Sequence, residues 1–263
     1  ILGRLVGSEM CIRDRSQGVP IIGFDYSHEF LANKKNHRTR SSIYIETEEL
    51  CLLIDTTPDL RTQALREGIK QVDAVLFTHS HADHIMGLDD CRRFCAINDN
   101  QPLPIYADSK TMKDLARVYE YAFKAKFTPG YFKPKPYVID GEFLIGDLKI
   151  SPFKQEHGSM GSLGFLFEQS GTPKLAYYND CKKVSSDAIN AATGIDLVIL
   201  DALRPKEHHS HMNLDEALTT ARRIGAKETL LTHLTDFYDH DRDSSDLPNN
   251  VLFAYDGLKR SIP

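Results

Sequence analysis

Four side chains that can bind metal ions lie within six residues of this chain, at His79, His81, Asp83 and His84. Neutral imidazole nitrogen and carboxylate oxygen are ligands that suit borderline divalent ions such as zinc and manganese. His79 and His81 are two residues apart, so their side chains point the same way if the backbone is extended. Asp83 and His84 follow on the next turn and can face a second ion. One ion needs only three or four such groups, so four in this segment, with further candidates downstream, argue for two metal ions.

A short apolar run directly precedes the histidine-rich segment. Asp73–Phe77 has the composition of a buried strand. The histidines therefore lie on a loop at the carboxyl end of that strand, where layered α/β proteins carry their binding loops. His157, Asp180 and His233 are further candidate ligands, and each follows a predicted strand in the same way. We expect these loops to converge on one cleft at a common sheet edge.

The remaining elements predict an α/β protein. The strands are predicted from short apolar or alternating runs at Ser42–Glu46, Leu50–Asp55, Asp73–Phe77, Leu103–Ala107, Lys149–Phe153, Gly164–Glu168, Lys174–Tyr178, Asp196–Leu200 and Glu228–Thr232. The helices are predicted at Asp59–Arg66, Asp89–Ala96, Ser109–Phe123, Val184–Ala191 and Asn213–Ile224. Strands come first and then alternate with helices, which favours an αββα sandwich of two mixed sheets packed face to face with helices outside.

Two helix starts and one loop carry more specific expectations. Ser109 is expected to cap its helix, and Asn213 with Glu216 is expected to form a capping box. Thr128–Pro136 contains three prolines and a glycine, so we expect a loop there, in which Tyr131 and Phe132 would form an aromatic flap.

The order of the candidate ligands resembles that of the metallo-β-lactamase superfamily. A His-x-His-x-Asp-His motif is followed by a lone histidine, a lone aspartate and a Thr-His pair after a strand, and the resemblance extends from Ser16 to the end of the chain. It implies that the first metal ion is held by His79, His81 and His157. It implies that the second is held by Asp83, His84 and His233, and that Asp180 bridges the two.

A second set of motifs is similar to the phosphodiesterase branch of that superfamily, whose best-known member is the cyclic phosphodiesterase of the carbon–phosphorus lyase pathway. The matching segments are Ser16–Pro20, Arg40–Ser42, Ile54–Asp59, Asp201–Arg204, His211–Ala217 and Ala254–Leu258. In that branch a histidine matching His211 contacts the substrate phosphate. The resemblance thus implies a catalytic set of Asp83, Asp180 and His211, with the neighbouring His208 and His209 as alternatives to His211. Asp55 ends a strand and is an expected hydrogen-bond acceptor for a ligand histidine.

One departure from the branch concerns a structural zinc site. The branch often builds that site from cysteines shortly after the Gly-x-Pro turn and from a histidine just beyond the last ligand. Here Gly23–His28 contains no cysteine, and Asp236 stands where that histidine would be. We therefore expect two divalent ions in the active site, zinc or manganese, and no structural zinc.

The expected reaction is hydrolysis of a small cyclic or nucleotide-like phosphodiester. A hydroxide shared by the two cations would attack phosphorus. His211, if protonated, would donate a proton to the phosphate or to the leaving oxygen. Members of this branch are often dimeric, so a homodimer is one candidate, and the sequence leaves the oligomeric state open.

Three other functions remain open at this stage. The tRNA 3′-processing endonuclease of the same superfamily is the first, but we find no insertion that matches its protruding arm. The net charge of -5 also argues against a nucleic-acid partner, because proteins that bind phosphate backbones usually carry a basic excess. Thioester or lactone hydrolysis is the second. A non-catalytic metal-binding module is the least favoured, because all seven ligand positions are filled.

The amino-terminal segment does not look native. Val6–Arg15 resembles a peptide that arises when sequencing-adapter read-through is translated, so we interpret residues 1–15 as non-native and residues 16–263 as one hydrolase domain. In this interpretation an edge strand of the first sheet has been replaced.

Localisation is inferred from what the sequence lacks. It has no run of eighteen apolar residues and no signal-peptide pattern, so neither a transmembrane helix nor a membrane partner is expected. The cysteines are odd in number and scattered, at Cys11, Cys51, Cys91, Cys95 and Cys181. We expect free thiols in a cytoplasmic protein.

Overall fold

Two seven-stranded sheets form the centre of the molecule. The structure, a computed structural model, describes the backbone of residues 2–4 and all of residues 17–124 and 132–263. The strands are β1 (Leu2–Arg4), β2 (Ile43–Glu46), β3 (Cys51–Ile54), β4 (Ala74–Leu76), β5 (Leu103–Ala107), β6 (Pro134–Val138), β7 (Phe143–Ile145), β8 (Leu148–Gln155), β9 (Ser162–Gln169), β10 (Thr172–Tyr178), β11 (Leu197–Asp201), β12 (Glu228–Thr232), β13 (Val251–Phe253) and β14 (Lys259–Ile262).

Helices cover the outer face of each sheet. They are α1 (His28–Ala32), α2 (Leu60–Glu67), α3 (Ala82–Ile85), α4 (Arg92–Ile97), α5 (Ser109–Val118), α6 (Glu120–Lys124), α7 (Ser186–Ala191), α8 (Leu214–Ile224) and α9 (His240–Ser244), with short 3-10 helices at Lys34–Asn36 and Leu88–Cys91. The Asn213–Glu216 capping box of α8 is present as predicted.

Three apolar clusters show how the layers pack. One lies between the two sheets and includes Ile54, Leu76 and Phe165. A second packs the other face of the first sheet against α2, α4 and α5, and a third packs the second sheet against α7 and α8. This arrangement of helix, sheet, sheet and helix confirms the predicted αββα sandwich.

The order of the strands places the candidate ligands. The first sheet runs β14-β1-β2-β3-β4-β5-β6 and the second β13-β12-β11-β10-β9-β8-β7. Strands β3 to β6 are parallel to one another, and so are β10 to β13. The carboxyl ends of parallel strands meet at one edge, which gathers the loops after β3, β4, β10 and β12 there.

Three expectations about the middle of the chain are wrong. The helix predicted over Ser109–Phe123 is divided into α5 and α6 at Tyr119, whose ring is buried and whose hydroxyl donates to the Ile85 carbonyl. Asp108, rather than Ser109, caps α5, because its carboxylate accepts the Thr111 amide. Part of the predicted loop Thr128–Pro136 belongs to strand β6, which is an edge strand where proline is tolerated.

The predicted aromatic flap is also not supported where the chain is described. Phe132 is buried in the core beside α5, whereas Thr128–Tyr131 lies outside the described residues.

The amino terminus pairs differently from the expectation. Leu2–Arg4 forms hydrogen-bonded pairs with both β14 and β2, so it is not an edge strand. The other residues of the segment that we interpret as non-native lie outside those described.

Cys51, Cys91, Cys95 and Cys181 are free thiols as expected, and Cys11 is outside the described residues. No helix in the described part of the chain has the length and the apolar character needed to cross a membrane.

Gly87 fixes the short helix of the histidine-rich segment against the loop after β3. Its amide donates to the Thr56 carbonyl at 2.9 Å, and the Thr56 amide donates to the His84 carbonyl at 2.7 Å. A Cβ atom at position 87 would lie 2.0 Å from the Thr57 carbonyl oxygen, so the two backbones approach as closely as only glycine allows.

We expect Gly87→Ala to destabilise the fold by about 3 kcal/mol or more, because backbone must move to relieve the clash. Gly68→Ala is the comparison, since Gly68 has a positive φ but nothing within 4 Å of the added Cβ, and it should cost about 1 kcal/mol. Thermal denaturation of the two variants measures the difference. Equal midpoints would contradict the packing argument.

Candidate metal centre

Three candidate site residues sit at sharp turns directly after strands. Asp55 follows β3, Asp180 follows β10 by two residues, and His233 follows β12. All three have positive φ angles, of 62°, 51° and 58° respectively. This left-handed conformation costs an ordinary residue about 1–2 kcal/mol. The strain occurs where each chain turns away from its sheet edge, and strained positions of this kind cluster at functional sites.

The nitrogen atoms of three histidines converge at one point. His79 Nε2 lies 2.8 Å from His81 Nδ1, and that atom lies 3.2 Å from His157 Nε2. Burial lowers the pKa of His79 and His81, and it lowers the pKa of His157 to about 4. These imidazoles therefore stay neutral near pH 7, the form in which histidine binds metal ions.

A second group forms around the Asp180 carboxylate. Its Oδ2 atom is 3.2 Å from His84 Nε2, and its Oδ1 atom is 3.1 Å from His233 Nε2. Asp83 Oδ2 is also 3.2 Å from His84 Nε2. Burial alone would raise the pKa of Asp180, but His233 and His84 outweigh burial and hold it well below the usual range. The seven predicted ligands therefore lie together in two adjoining sets that share Asp180.

Asp55 orients two of these histidines from behind. His84 Nδ1 donates to Asp55 Oδ2 at 2.7 Å, as expected for the ligand-histidine acceptor. The Thr78 hydroxyl also donates to Asp55 Oδ2 at 2.7 Å, so its oxygen is left to accept from His79 Nδ1 at 2.9 Å. Both Nδ1 atoms therefore carry hydrogen, and the Nε2 atoms are the ring nitrogens that face the cluster. This arrangement fixes the ring orientation and the tautomer that metal binding requires.

His84 Nε2 shows that the cluster fits metal ions. The side chain is fully buried, and Nε2 makes no well-aligned hydrogen bond among the described residues, although the Asp83 and Asp180 carboxylates each lie 3.2 Å from it. Burial would lower the pKa of His84, but the carboxylates of Asp180, Asp83 and Asp55 raise it well above the usual value. A cation among these carboxylates would satisfy the orphaned nitrogen and balance their charge, and imidazole with carboxylate is a donor set suited to zinc or manganese.

His211 lies beside the cluster and is held by a different carboxylate, that of Asp201. Its Nδ1 atom contacts Asp201 Oδ2 at 2.6 Å, and its ring stacks on His233 at 4.6 Å between centroids. Asp201 also accepts the amides of Cys181 and Leu203, so the carboxylate is rigidly placed. Because Asp201 occupies Nδ1, the other ring nitrogen of His211 is the one available to a ligand.

The two alternatives to His211 are held differently. His208 is buried, and its Nδ1 atom accepts the Ser210 amide at 3.3 Å. His209 is exposed. The Ser210 carbonyl in turn accepts His157 Nδ1 at 3.1 Å, which ties this loop to the first metal set. Of the three histidines, only His211 lies in groups of side chains with metal-binding geometry.

A small pocket of about 220 Å³ opens onto the cluster. Its floor consists of candidate ligands, among them His157, Asp180 and His233. The loops 158–160 and 209–211 also line it. Pockets for drug-sized ligands measure about 300–1,000 Å³, so this one suits a smaller molecule.

Asp236 is hydrogen-bonded to the segment that follows the Gly-x-Pro turn. The Tyr26 hydroxyl donates to Asp236 Oδ2 at 3.0 Å and accepts the Ile21 amide at 3.1 Å. These hydrogen bonds attach the segment after Gly18-Val19-Pro20 to the loop that follows His233.

The comparisons with known proteins agree with this geometry. A family model described as a beta-lactamase superfamily domain matches residues 51–234, which include all the predicted ligands. The chain belongs to the metallo-β-lactamase superfamily. A solved structure described as a new diphosphatase from the PhnP family is 33% identical, with a TM-score of 0.87, and the alignment covers 99% of this chain and 98% of that one.

Two curated relatives of this superfamily hydrolase are longer proteins. An octanoyltransferase of Porphyromonas gingivalis is 32% identical over an alignment of 255 positions, and the alignment covers 94% of this chain and 50% of the relative. A ribonuclease Z of Methanopyrus kandleri is 30% identical over an alignment of 154 positions, and the alignment covers 56% of this chain and 49% of the relative. The aligned part thus spans about half the length of each. Membership of the superfamily, together with the histidine–aspartate cluster, indicates binding of divalent metal ions.

Sequence reasoning missed several residues of the hydrolase site. Thr78 was not singled out, although a hydroxyl directly before the first ligand histidine is a signal for a link to Asp55. Asp201 was matched as part of a motif without a role, and its position at the end of β11 was the available signal. The Ser210 contact uses a backbone carbonyl, so no side-chain pattern could have indicated it.

Proposed function

We propose that this superfamily member hydrolyses a small cyclic or nucleotide-like phosphodiester with two divalent ions, zinc or manganese. The observation that carries the proposal is the position of His211, which is held by Asp201 at 2.6 Å, stacked on His233 and exposed to the small pocket above the cluster. A proton donor next to two metal sets suits a reaction that must both neutralise a phosphate and protonate a leaving oxygen.

Separate sets of residues would hold the two ions and orient their ligands. His79, His81 and His157 would hold one ion, Asp83, His84 and His233 the other, and Asp180 would bridge them. When bound, the ions supply Lewis-acid activation of water and neutralise charge on the phosphate. Asp55 keeps His84 in the ligating tautomer directly, and His79 through Thr78.

His211 would deliver the proton. Asp201 accepts its Nδ1 hydrogen, fixes the ring and stabilises the positive charge when the second nitrogen is also protonated. That nitrogen would donate to the oxygen that leaves phosphorus, so the bond from phosphorus to the leaving group breaks as the new bond from water oxygen forms. The pocket walls would exclude bulk water around this transfer.

A phosphoanhydride is a second candidate substrate. The relative described as a diphosphatase is 33% identical along nearly the whole chain. Both reactions displace an oxygen leaving group from phosphorus, so the same residues would serve either one. The alkoxide leaving group of a phosphodiester needs the proton from His211 more than the phosphate leaving group of a phosphoanhydride does.

The other relatives support weaker alternatives. The ribonuclease Z match keeps precursor tRNA in consideration, but the net charge of -5 and the small pocket favour a smaller substrate. The name octanoyltransferase belongs to a protein twice as long as the part aligned here. An acyl thioester is therefore included among the test substrates.

One panel of substrates tests the proposal on the full chain. We expect bis-p-nitrophenyl phosphate and a 2′,3′-cyclic nucleotide to be hydrolysed at least about a hundredfold faster than an acyl thioester or a precursor tRNA. Small phosphodiesters both fit the pocket and have a leaving oxygen that His211 can protonate. Metal content is measured in parallel. A fully metal-loaded protein that turns over no phosphodiester would overturn the proposal, and preferential turnover of pyrophosphate would favour the second candidate.

A further inference from the structure

One wall of the pocket has an apolar side chain where the rest of the lining is polar. Among the described residues that line the pocket, Met160 is the one with an aliphatic side chain, and the others are histidine, serine, aspartate or glycine. Met160 is half-buried and lines the pocket.

The backbone fixes Met160 relative to a candidate metal ligand. The amides of Met160 and Gly161 both donate to the His157 carbonyl, at 3.2 and 3.0 Å. Gly158 and Gly161 flank this tight turn with φ angles of 52° and 69°. Glycine reaches these angles without strain. The tip of the loop is therefore built directly on His157, and its distance from the metal sets does not depend on a long flexible connection.

Contacts from the first half of the chain hold the tip from outside. Lys110 Nζ, near the start of α5, donates to the Met160 carbonyl at 2.9 Å. Ser80, between two of the ligand histidines, lies with its Oγ 3.7 Å from Met160 Sδ and donates to Asp114 of α5 at 2.7 Å. The loop is thus attached to the first half of the chain at both its backbone and its side chain.

We propose that Met160 is a specificity-determining residue that packs against the organic ester group retained on the phosphorus and limits its size. The proposal rests on the proposed phosphodiester hydrolysis. The phosphate charge belongs on the histidine and aspartate floor, so the organic part of the substrate must contact a wall. The other lining loop, 209–211, carries imidazoles and a serine, which leaves Met160 as the apolar surface. In apolar pockets a single methylene changes discrimination by about 10–200-fold.

Two esters that share a leaving group test this directly. Methyl p-nitrophenyl phosphate and bis-p-nitrophenyl phosphate both release p-nitrophenolate, and they differ only in the group that Met160 would contact. For Met160→Ala we expect the ratio of kcat/KM for the bis ester to kcat/KM for the methyl ester to rise about tenfold, mainly through KM. Met160→Leu, which retains the volume, should keep the wild-type ratio.

A second pair of variants tests the support of the loop. Lys110→Met removes the donor to the Met160 carbonyl while keeping the apolar stem. We expect it to shift the ratio in the same direction by about threefold. Lys113→Met is the matched control, because it is an exposed lysine on the same helix, and it should leave the ratio unchanged. Metal content is measured for every variant.

Binding separates failure of this inference from failure of the proposed function. Dissociation constants of dimethyl phosphate and diphenyl phosphate are measured by calorimetry on metal-loaded wild type and Met160→Ala. If the wild type hydrolyses neither ester, the proposed function fails, and a change in the ratio of these two constants still supports the role of Met160. If the ratios of kcat/KM and of the dissociation constants both stay within twofold of wild type, the inference about Met160 is overturned.

Discussion

Asp180→Asn is expected to lower kcat/KM for phosphodiesters by at least about a thousandfold, equivalent to about 4 kcal/mol of transition-state stabilisation. The carboxylate has one oxygen 3.1 Å from His233 Nε2 and the other 3.2 Å from His84 Nε2, both in the second set. It also lies within 4.8 Å of ligand nitrogens of His79 and His157 in the first set. An amide at this position can present only one oxygen and carries no charge. The variant should therefore lose the charge that balances two cations and the atom that would bridge them.

Metal analysis shows whether the loss has this cause. We expect Asp180→Asn to retain at most one ion per chain where the wild type retains two. Asp187→Asn is the matched control, because Asp187 is an exposed aspartate on α7, and it should keep both activity and metal. Circular dichroism excludes unfolding as the explanation. Full activity of Asp180→Asn with two bound ions would show that Asp180 is not a bridging ligand.

Four of the seven candidate ligands were predicted from the histidine-rich motif, and the other three from their positions after strands and from the order of ligands in the superfamily. Strand ends in parallel sheets meet at one edge, so a histidine or aspartate after a buried apolar run has a predictable place even when its partners are far away in sequence. Asp180 and His233 are 53 residues apart by their numbers, yet their side chains lie within 3.1 Å. The same reasoning predicted the face-to-face sheets.

What the sequence did not predict depends on contacts that carry no pattern. β6 contains Pro134 and Pro136, which indicate a loop by composition, and only its position at the edge of the first sheet explains why a strand forms there. The helix after Asp108 ends at Tyr119 because that ring is buried below it, which is a packing effect invisible in helix propensity. The position of Met160 depends on hydrogen bonds to a backbone carbonyl and from a lysine remote in sequence.

Thr78 and Asp55 show the same limit within the site. A strand-end aspartate predicted an acceptor for a ligand histidine, and the structure places it against His84. That this carboxylate also serves His79 depends on the direction of the Thr78 hydroxyl, which only the three-dimensional arrangement fixes. One buried carboxylate thus sets the tautomer of a histidine in each metal set.

His211→Ala is expected to lower kcat for a 2′,3′-cyclic nucleotide by about 10²–10⁴-fold while both metal ions remain bound, because general acid catalysis contributes on that scale. His211 is absent from both predicted ligand sets, so its removal leaves their seven side chains in place. For bis-p-nitrophenyl phosphate we expect a loss of only about tenfold, since p-nitrophenolate is a stable anion that needs little protonation. Asp201→Asn should show the same dependence on the leaving group, but with smaller losses. It weakens the contact that holds the His211 ring without removing the ring.

This difference between leaving groups separates proton donation from simple phosphate binding. If His211 only binds the phosphate, its loss should lower kcat/KM equally for both substrates, mainly by raising KM. His209→Gln tests the neighbouring exposed histidine in the same assay, and a larger loss in kcat than that of His211→Ala would transfer the role to His209. His28→Ala, at an exposed histidine of α1, is the control for replacing a surface imidazole and should match the wild type. If His211 is a proton donor held by Asp201, His211→Ala should lose the most activity on the substrate with an alkoxide leaving group. That oxygen cannot depart from phosphorus as a free anion near pH 7.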